Sequence, residues 1–281
     1  MKVPRRSVLQ NVKGGEQSQP SVFKQLQSLL DSTFLRRRSC DRKGPMPGRL
    51  KLSEAFMSSQ SSNIWEKYFR DRDRISAENS LGCPALEPSV RTQGFLDLGT
   101  GPQVNECHLF HGTSMRAAGQ ILQQGFRLDL AGQSTQQRFG PKRKCMFANG
   151  VYFSECSSKA DEYAKEGAVG AVSSLSSVKG LRLFPMLLCR VVLGRVLRVQ
   201  RAVWDADDPH ALANKLKRQR CNSLVGDLEV QCGTYREFVL PKIEGICPEY
   251  LLLYRRLYGP RGGPWPFSSS PSAGRRRPFR V

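Results

Sequence analysis

Histidine is scarce in this 281-residue chain, which has three (His108, His111 and His210), and its nine cysteines include no CxxC pair. That combination argues against a zinc site, so no metal ligands are expected. An odd cysteine number at irregular spacing argues for reduced thiols rather than a disulfide framework. No apolar run approaches the roughly 18 residues that span a bilayer. The opening Met1-Lys2-Val3-Pro4-Arg5-Arg6 lacks the apolar core of a secretory leader, so no membrane partner is expected. No internal repeat is found. Acidic residues are few: 24 Asp and Glu against 44 Lys and Arg leave a net charge of +20. Such a surplus attracts polyanions, nucleic acid among them, through salt-sensitive counterion release.

The ends differ from the centre. Residues 1–19 have no apolar periodicity and read as a disordered basic N-terminus. Residues 259–281 are rich in Gly, Pro, Ser and Arg and read as a disordered tail. One folded domain is expected over 20–258, its core starting at about residue 48. Phe23, Leu26, Leu30 and Phe34 recur at helical spacing. Arg36-Arg37-Arg38 suits the C-terminus of that helix. A second helix is expected from Asn63, with Glu66 as its capping partner, Trp65, Tyr68 and Phe69 on one face, and the alternating charges of residues 70–74 facing water. Residues 80–106 read as loop.

Cys107–Phe110 reads as a strand that delivers His111 and Gly112. A helix follows, with Ser114 as N-cap, Ile121 and Leu122 as its buried ridge and Gly125 as its stop. Residues 127–150 form a long basic loop that includes Arg127. Val151–Phe153 is a strand, and Ser157 or Ser158 caps a helix reaching Lys165. Residues 167–180 read as an exposed loop. Met186–Val199 is the strongest β segment. Asp208-Pro209 opens a basic helix over 209–220 carrying Lys215, Lys217, Arg218 and Arg220. Strands are expected at Tyr235–Leu240 and Tyr250–Leu257. Scattered helices among short strands argue for an α+β fold around a mainly antiparallel sheet.

Three segments in order place a histidine, a tyrosine and a glutamate on separate strand-like stretches: His111-Gly112-Thr113, Gly150-Val151-Tyr152-Phe153 and Tyr235-Arg236-Glu237-Phe238. A cleft made of these groups suits glycosyl transfer, because a carboxylate stabilises the oxocarbenium character that develops when a glycosidic bond breaks. The same carboxylate can hold a ribose hydroxyl or take a proton from a nucleophile. Tyrosine rings can stack on a planar ligand. A glycine after the histidine lets the backbone approach a ligand closely. A single carboxylate fits a substrate with its own good leaving group, such as nicotinamide. Each residue alone has a plainer alternative. His111 could mark a capped turn, Tyr152 could be core, and Glu237 could be a sheet-edge charge facing water, since Arg236 points to the opposite face.

Together the segments resemble the NAD-binding catalytic core of the poly(ADP-ribose) polymerase family, especially its compact protist-like members and the tankyrases. The similarity also takes in Ile64–Tyr68, Ser157-Ser158-Lys159 and Pro248–Leu251. It implies an ADP-ribosyltransferase-like fold, a split, mainly antiparallel sheet with flanking helices. It implies NAD as co-substrate, without a metal. His111 would then bond the adenine-side ribose and Gly112 the nicotinamide carboxamide, with Thr113 beside them. Tyr152 and Tyr163 would sandwich the nicotinamide ring. Glu237 would hold the ribose 2′-hydroxyl, stabilise the transition state and orient an acceptor. Residues 127–150 would be the donor loop over NAD, its basic residues facing the pyrophosphate.

The family usually has serine where Ala160 stands, and its hydroxyl binds the carboxamide. The loop carries an inserted-looking Gly140–Cys145, and the tankyrase zinc cluster is absent between 167 and 180. With no zinc fingers, helical inhibitory domain or ankyrin repeats, an open site without DNA-break activation is expected. The His-Tyr-Glu set fits chain-elongating members; mono-transfer and a silent binding module are the alternatives. Expected partners are protein acceptors, the chain itself included, and nucleic acid or another polyanion at the tails and helix 209–220. Basic clusters at 36–38 and 275–277 permit nuclear import, so a nuclear or cytoplasmic location is expected, with the nucleus preferred.

Overall fold

The computed structural model describes residues 9–12, 21–58, 63–94, 104–131, 146–168, 182–200 and 211–259. The expected tail over 259–281, the inserted stretch 140–145 and the opening of the basic helix at 208–210 lie outside them, apart from Gly259. Among the described residues the strands are β1 (Leu9–Asn11), β2 (Arg49–Ser58), β3 (Glu106–Gly112), β4 (Val151–Ser154), β5 (Gly167–Ala168), β6 (Arg182–Val192), β7 (Val196–Val199), β8 (Ser223–Asp227), β9 (Arg236–Leu240) and β10 (Ile246–Leu257). The helices are α1 (Val22–Ser32), α2 (Asn63–Glu78), α3 (Met115–Gln124), α4 (Ser157–Asp161), α5 (Ala211–Arg218) and α6 (Leu228–Cys232).

The strands run in the order β1-β2-β10-β6-β3-β4-β9-β8-β7, with β5 on the start of β6. Among the described strands every pairing is antiparallel except β7 with β8. Between β3 and β4 the ladder narrows to one paired position, Phe110 with Ser154, and there the sheet splits into halves. The fold is α+β, as expected.

The central strands β6 and β10 are buried on both faces, which is why they read as unbroken apolar runs rather than alternating ones. Leu187 and Cys189 face the core capped by Met115, Ala118 and Leu122 of α3. Met186 and Leu188 face the core capped by Leu26, Leu29 and Leu30 of α1. Leu251 and Leu253 alternate with Leu252 and Tyr254 in the same way. Among the described residues β1 pairs with residues 56–58 of β2, and the Val12 N–H donates to the Ala55 carbonyl (3.2 Å). Farther along that edge the Gln27 side chain of α1 substitutes for a strand: its amide donates to the Leu50 carbonyl (3.0 Å) and accepts from the Leu52 N–H (2.7 Å).

Several expectations need correction. Leu9–Asn11 is a strand, not part of a disordered 1–19 segment, because the edge of β2 offers it backbone partners. The Arg36–Arg38 triplet does not end a helix. α1 stops at Ser32, and Arg37 instead donates to the Thr234 carbonyl (2.7 Å) and pairs with Glu229 (2.8 Å). Met186–Val199 is two strands, interrupted where Gly194 takes a positive φ of 58°. An added Cβ there would meet the Asn222 side chain at 2.4 Å. α4 ends at Asp161 rather than Lys165, and neither serine caps it; the Ser157 hydroxyl donates to the Leu30 carbonyl (2.7 Å) instead. Ser114 does cap α3, accepting from the Ala117 N–H, and Gly125 ends that helix.

The loop before β3 is tied to the sheet by a buried ion pair. Glu155 takes Arg236 in a bidentate pair (2.7 and 2.6 Å) and accepts from the Arg91 N–H (2.8 Å). The remaining Arg236 donors reach the carbonyls of Pro88 and Ser89. Removing one partner strands a buried charge, so Glu155→Ala should cost about 3–5 kcal/mol of stability. Chemical denaturation checks this; a loss below about 1 kcal/mol, the scale of an exposed pair, would contradict it.

Candidate active site

A cavity of about 490 Å³ opens beside the split in the sheet, within the size range of small-molecule sites. His111, Gly112 and Thr113 reach it from the end of β3, Tyr152 from β4, Ala160 and Tyr163 from α4 and the turn after it, Glu237 from β9 and Arg127 from its rim. All eight residues singled out from the sequence therefore line one cavity.

His111 is half-buried, its ring edge-on to Phe126 (5.0 Å between centroids) and tilted against Phe153. Its Nδ1 lies 2.9 Å from the Tyr152 carbonyl oxygen. A carbonyl only accepts, so Nδ1 carries the proton and the neutral ring offers Nε2 as an acceptor. Burial lowers the His111 pKa, and the bond to Tyr152 opposes that shift only in part. Gly112 is required by close approach: an added Cβ would stand 1.7 Å from the Ala160 carbonyl oxygen. The end of β3 thus rests directly on α4. The Thr113 carbonyl accepts from the Lys165 N–H (3.0 Å).

The Tyr152 hydroxyl is anchored outside the strand. It donates to the Ala148 carbonyl (2.9 Å) and accepts from the N–H groups of Phe147 and Ala148. This fixes the segment that enters β4. The Tyr163 hydroxyl donates to Asp41 (2.7 Å), and burial raises its pKa well above the ordinary value, which keeps it a donor. Ala160 is buried and brings no hydroxyl to the wall. Arg127 lines the rim with its guanidinium on Asp129 (3.1 and 2.5 Å), both side chains exposed. Of the expected donor loop, residues 132–145 lie outside the described part.

Glu237 is not a sheet-edge charge. β9 lies between β4 and β8, and the side chain is 9% exposed. Its partner is Lys159 of α4, at 3.0 Å. The ammonium also meets Asp41 (2.6 Å) and Glu162 (3.2 Å). Burial works to lower the Lys159 pKa; the charges of Glu237, Glu162 and Asp41 outweigh it and hold the ammonium protonated. Arg236 does face away from Glu237, toward Glu155, as strand alternation requires. Sequence reasoning missed Lys159 as the counter-ion, although a cation among the small residues Ser157, Ser158 and Ala160 was a usable signal. It also missed Asp41, for which no local signal exists.

A family model, the poly(ADP-ribose) polymerase catalytic domain, matches residues 87–255. The chain belongs to the poly(ADP-ribose) polymerase family. The family's catalytic domain uses NAD+ as co-substrate, and membership supports NAD-dependent ADP-ribosyltransferase activity in general. The cavity suits such a ligand in its lining: aromatic walls, an acceptor nitrogen at His111 and an ion-paired carboxylate at Glu237. The matched span includes all eight predicted residues but neither α1, β2 nor Asp41.

The lowered His111 pKa has a pH consequence. Below about pH 6.5 the unfolded histidine takes up a proton that the native ring resists. The stability contributed by the neutral ring is therefore full above that value and is lost as the pH falls toward the lowered folded-state pKa. Denaturation midpoints measured between about pH 5 and 7.5 should fall more steeply on acidification for the wild type than for His111→Gln. Parallel curves would contradict the assigned protonation state.

Proposed function

We propose that this protein is an active ADP-ribosyltransferase that moves ADP-ribose from NAD to acceptors with release of nicotinamide, and that it elongates chains. The observation that carries this reading is the Glu237 carboxylate on the interior strand β9, lining the cavity and ion-paired to Lys159. In the reaction, the bond from the nicotinamide nitrogen to the anomeric carbon breaks. Its electron pair leaves with the ring, and positive charge moves onto the ribose. Glu237 stabilises that charge and holds the 2′-hydroxyl. The acceptor's lone pair closes the new bond at the anomeric carbon, and Glu237 receives the proton it sheds.

His111, through Nε2, accepts from a hydroxyl of the adenine-side ribose. Gly112 meets the carboxamide with its backbone, with Thr113 next to it. Tyr152 and Tyr163 flank the nicotinamide ring, and Arg127 at the rim faces the pyrophosphate. Retention of Glu237 favours elongation over mono-transfer. Ala160 favours a second reading, a silent module of the same fold that binds NAD or ADP-ribose, because a missing carboxamide bond costs about 1–3 kcal/mol of affinity.

Acceptors are proteins, this chain included, and a polyanion is drawn to α5. Leu212 and Leu216 seat that helix on the cluster shared with Met146 and Tyr152 beside the cavity, while Lys215, Lys217, Arg218 and the following Arg220 are exposed. The basic clusters at 36–38 and 275–277 favour work in the nucleus. Glutamine at those four positions of α5 and its end should reduce the salt slope of single-stranded nucleic-acid binding; an unchanged slope would remove α5 from the partner surface.

Glu237→Gln should leave NAD affinity within about threefold, because Lys159 keeps Asp41 and Glu162, while lowering transfer about 10²–10³-fold and abolishing chains on a denaturing gel. A variant that retains wild-type activity would contradict the role given to Glu237. A single discrete product from the wild type would replace elongation by mono-transfer.

A further inference from the structure

The segment between α1 and β2 reaches the cavity wall at Asp41 and is held in place at several points. Leu35 N–H donates to the Ser158 hydroxyl (3.1 Å), and the Tyr235 hydroxyl donates to the Arg37 carbonyl (2.5 Å) with the Leu35 carbonyl also in reach (3.1 Å). Arg37 reaches the Thr234 carbonyl and Glu229. Ser39 donates to Glu162 (2.6 Å). Arg42, buried, pairs with Asp161 (3.0 Å) and donates to the Ser158 carbonyl (2.6 Å). This strap seats Asp41, 5% exposed, on the cavity wall, with one carboxylate oxygen facing both Lys159 Nζ (2.6 Å) and the Tyr163 hydroxyl (2.7 Å).

Asp41 therefore touches the two groups that shape the reacting end of the site. Lys159 has three N–H donors to share, and Asp41 is its nearest acceptor among the described residues. The more strongly Asp41 engages the ammonium, the less of its charge is spent on Glu237. Among the described residues, Lys159, Arg42 and Arg256 meet the carboxylates of Asp41, Asp161, Glu162 and Glu237 in one ion-paired cluster. That cluster lines a cavity through Asp41, Lys159 and Glu237, and a ribose there would become positive in the transition state, where fixed opposite charge in a dry setting counts most.

We propose that Asp41, delivered by the strap over residues 33–42, is a positioning residue for transfer: through Lys159 and Tyr163 it sets the orientation and effective charge of Glu237. The proposal rests on the transferase reading above. It also means that the functional catalytic unit of this chain extends N-terminally beyond the span matched by the family model.

Asp41→Asn is nearly isosteric and keeps an oxygen toward Lys159 and Tyr163 while removing the charge. It should lower kcat for nicotinamide release about tenfold, with KM for NAD changed less than about threefold and the melting temperature close to wild type. Arg37→Ala, a partly exposed anchor outside the cavity wall, loosens the strap without altering the charge cluster and should lower kcat in the same direction. A wild-type kcat in Asp41→Asn overturns the proposal while leaving the transferase reading intact. If Asp41→Asn does not fold, Arg37→Ala decides: reduced kcat at unchanged KM supports the proposal, and wild-type kcat overturns it. A wild-type protein that releases no nicotinamide overturns both readings.

Discussion

One buried ammonium holds the site together. Lys159 has its charge out of water, and such a charge persists only where opposite charges surround it. Its partners come from three parts of the chain: Asp41 from the strap after α1, Glu162 from the end of its own helix and Glu237 from β9. The requirement to satisfy one lysine therefore fixes where those three elements meet. The neighbouring Asp161, shared by Arg42, Tyr254 and Arg256, extends the same requirement to β10.

The sheet makes this meeting possible by failing to be continuous. A full ladder between β3 and β4 would leave no room beside it. With one paired position at Phe110, the strand ends diverge and a cavity opens between the halves. Gly112 lets β3 lie against the Ala160 carbonyl, and the anchored Tyr152 hydroxyl fixes the entry to β4. Rigid strands thus carry His111, Tyr152 and Glu237, which favours preorganised over induced geometry.

Much of this was legible in the residues. The apolar runs of β6 and β10, the Ser114 cap and the Gly125 stop are local signals; the cap and stop stand where expected, while the first run divides into β6 and β7 and β10 begins earlier, at Ile246. The ordered His, Tyr and Glu segments line one cavity, each from its own strand. What escaped reading depends on distant partners. β1 is strand only because β2 offers an edge, and the Arg36–Arg38 stretch leaves the helix because Thr234 and Glu229 lie across from Arg37. Ser157 and Ser158 resemble caps by composition, but their hydroxyls answer to Leu30, Leu35 and Tyr235. Asp41 lies over a hundred residues from Lys159 in the chain, and no local pattern could pair them.

The most direct test of this account is single-turnover release of nicotinamide from NAD labelled in the nicotinamide ring, using the purified wild-type protein in excess. The account predicts release with ADP-ribose transferred to protein. Binding of NAD that remains intact through many hours would contradict it and would leave a ligand-binding module built on the same charged frame.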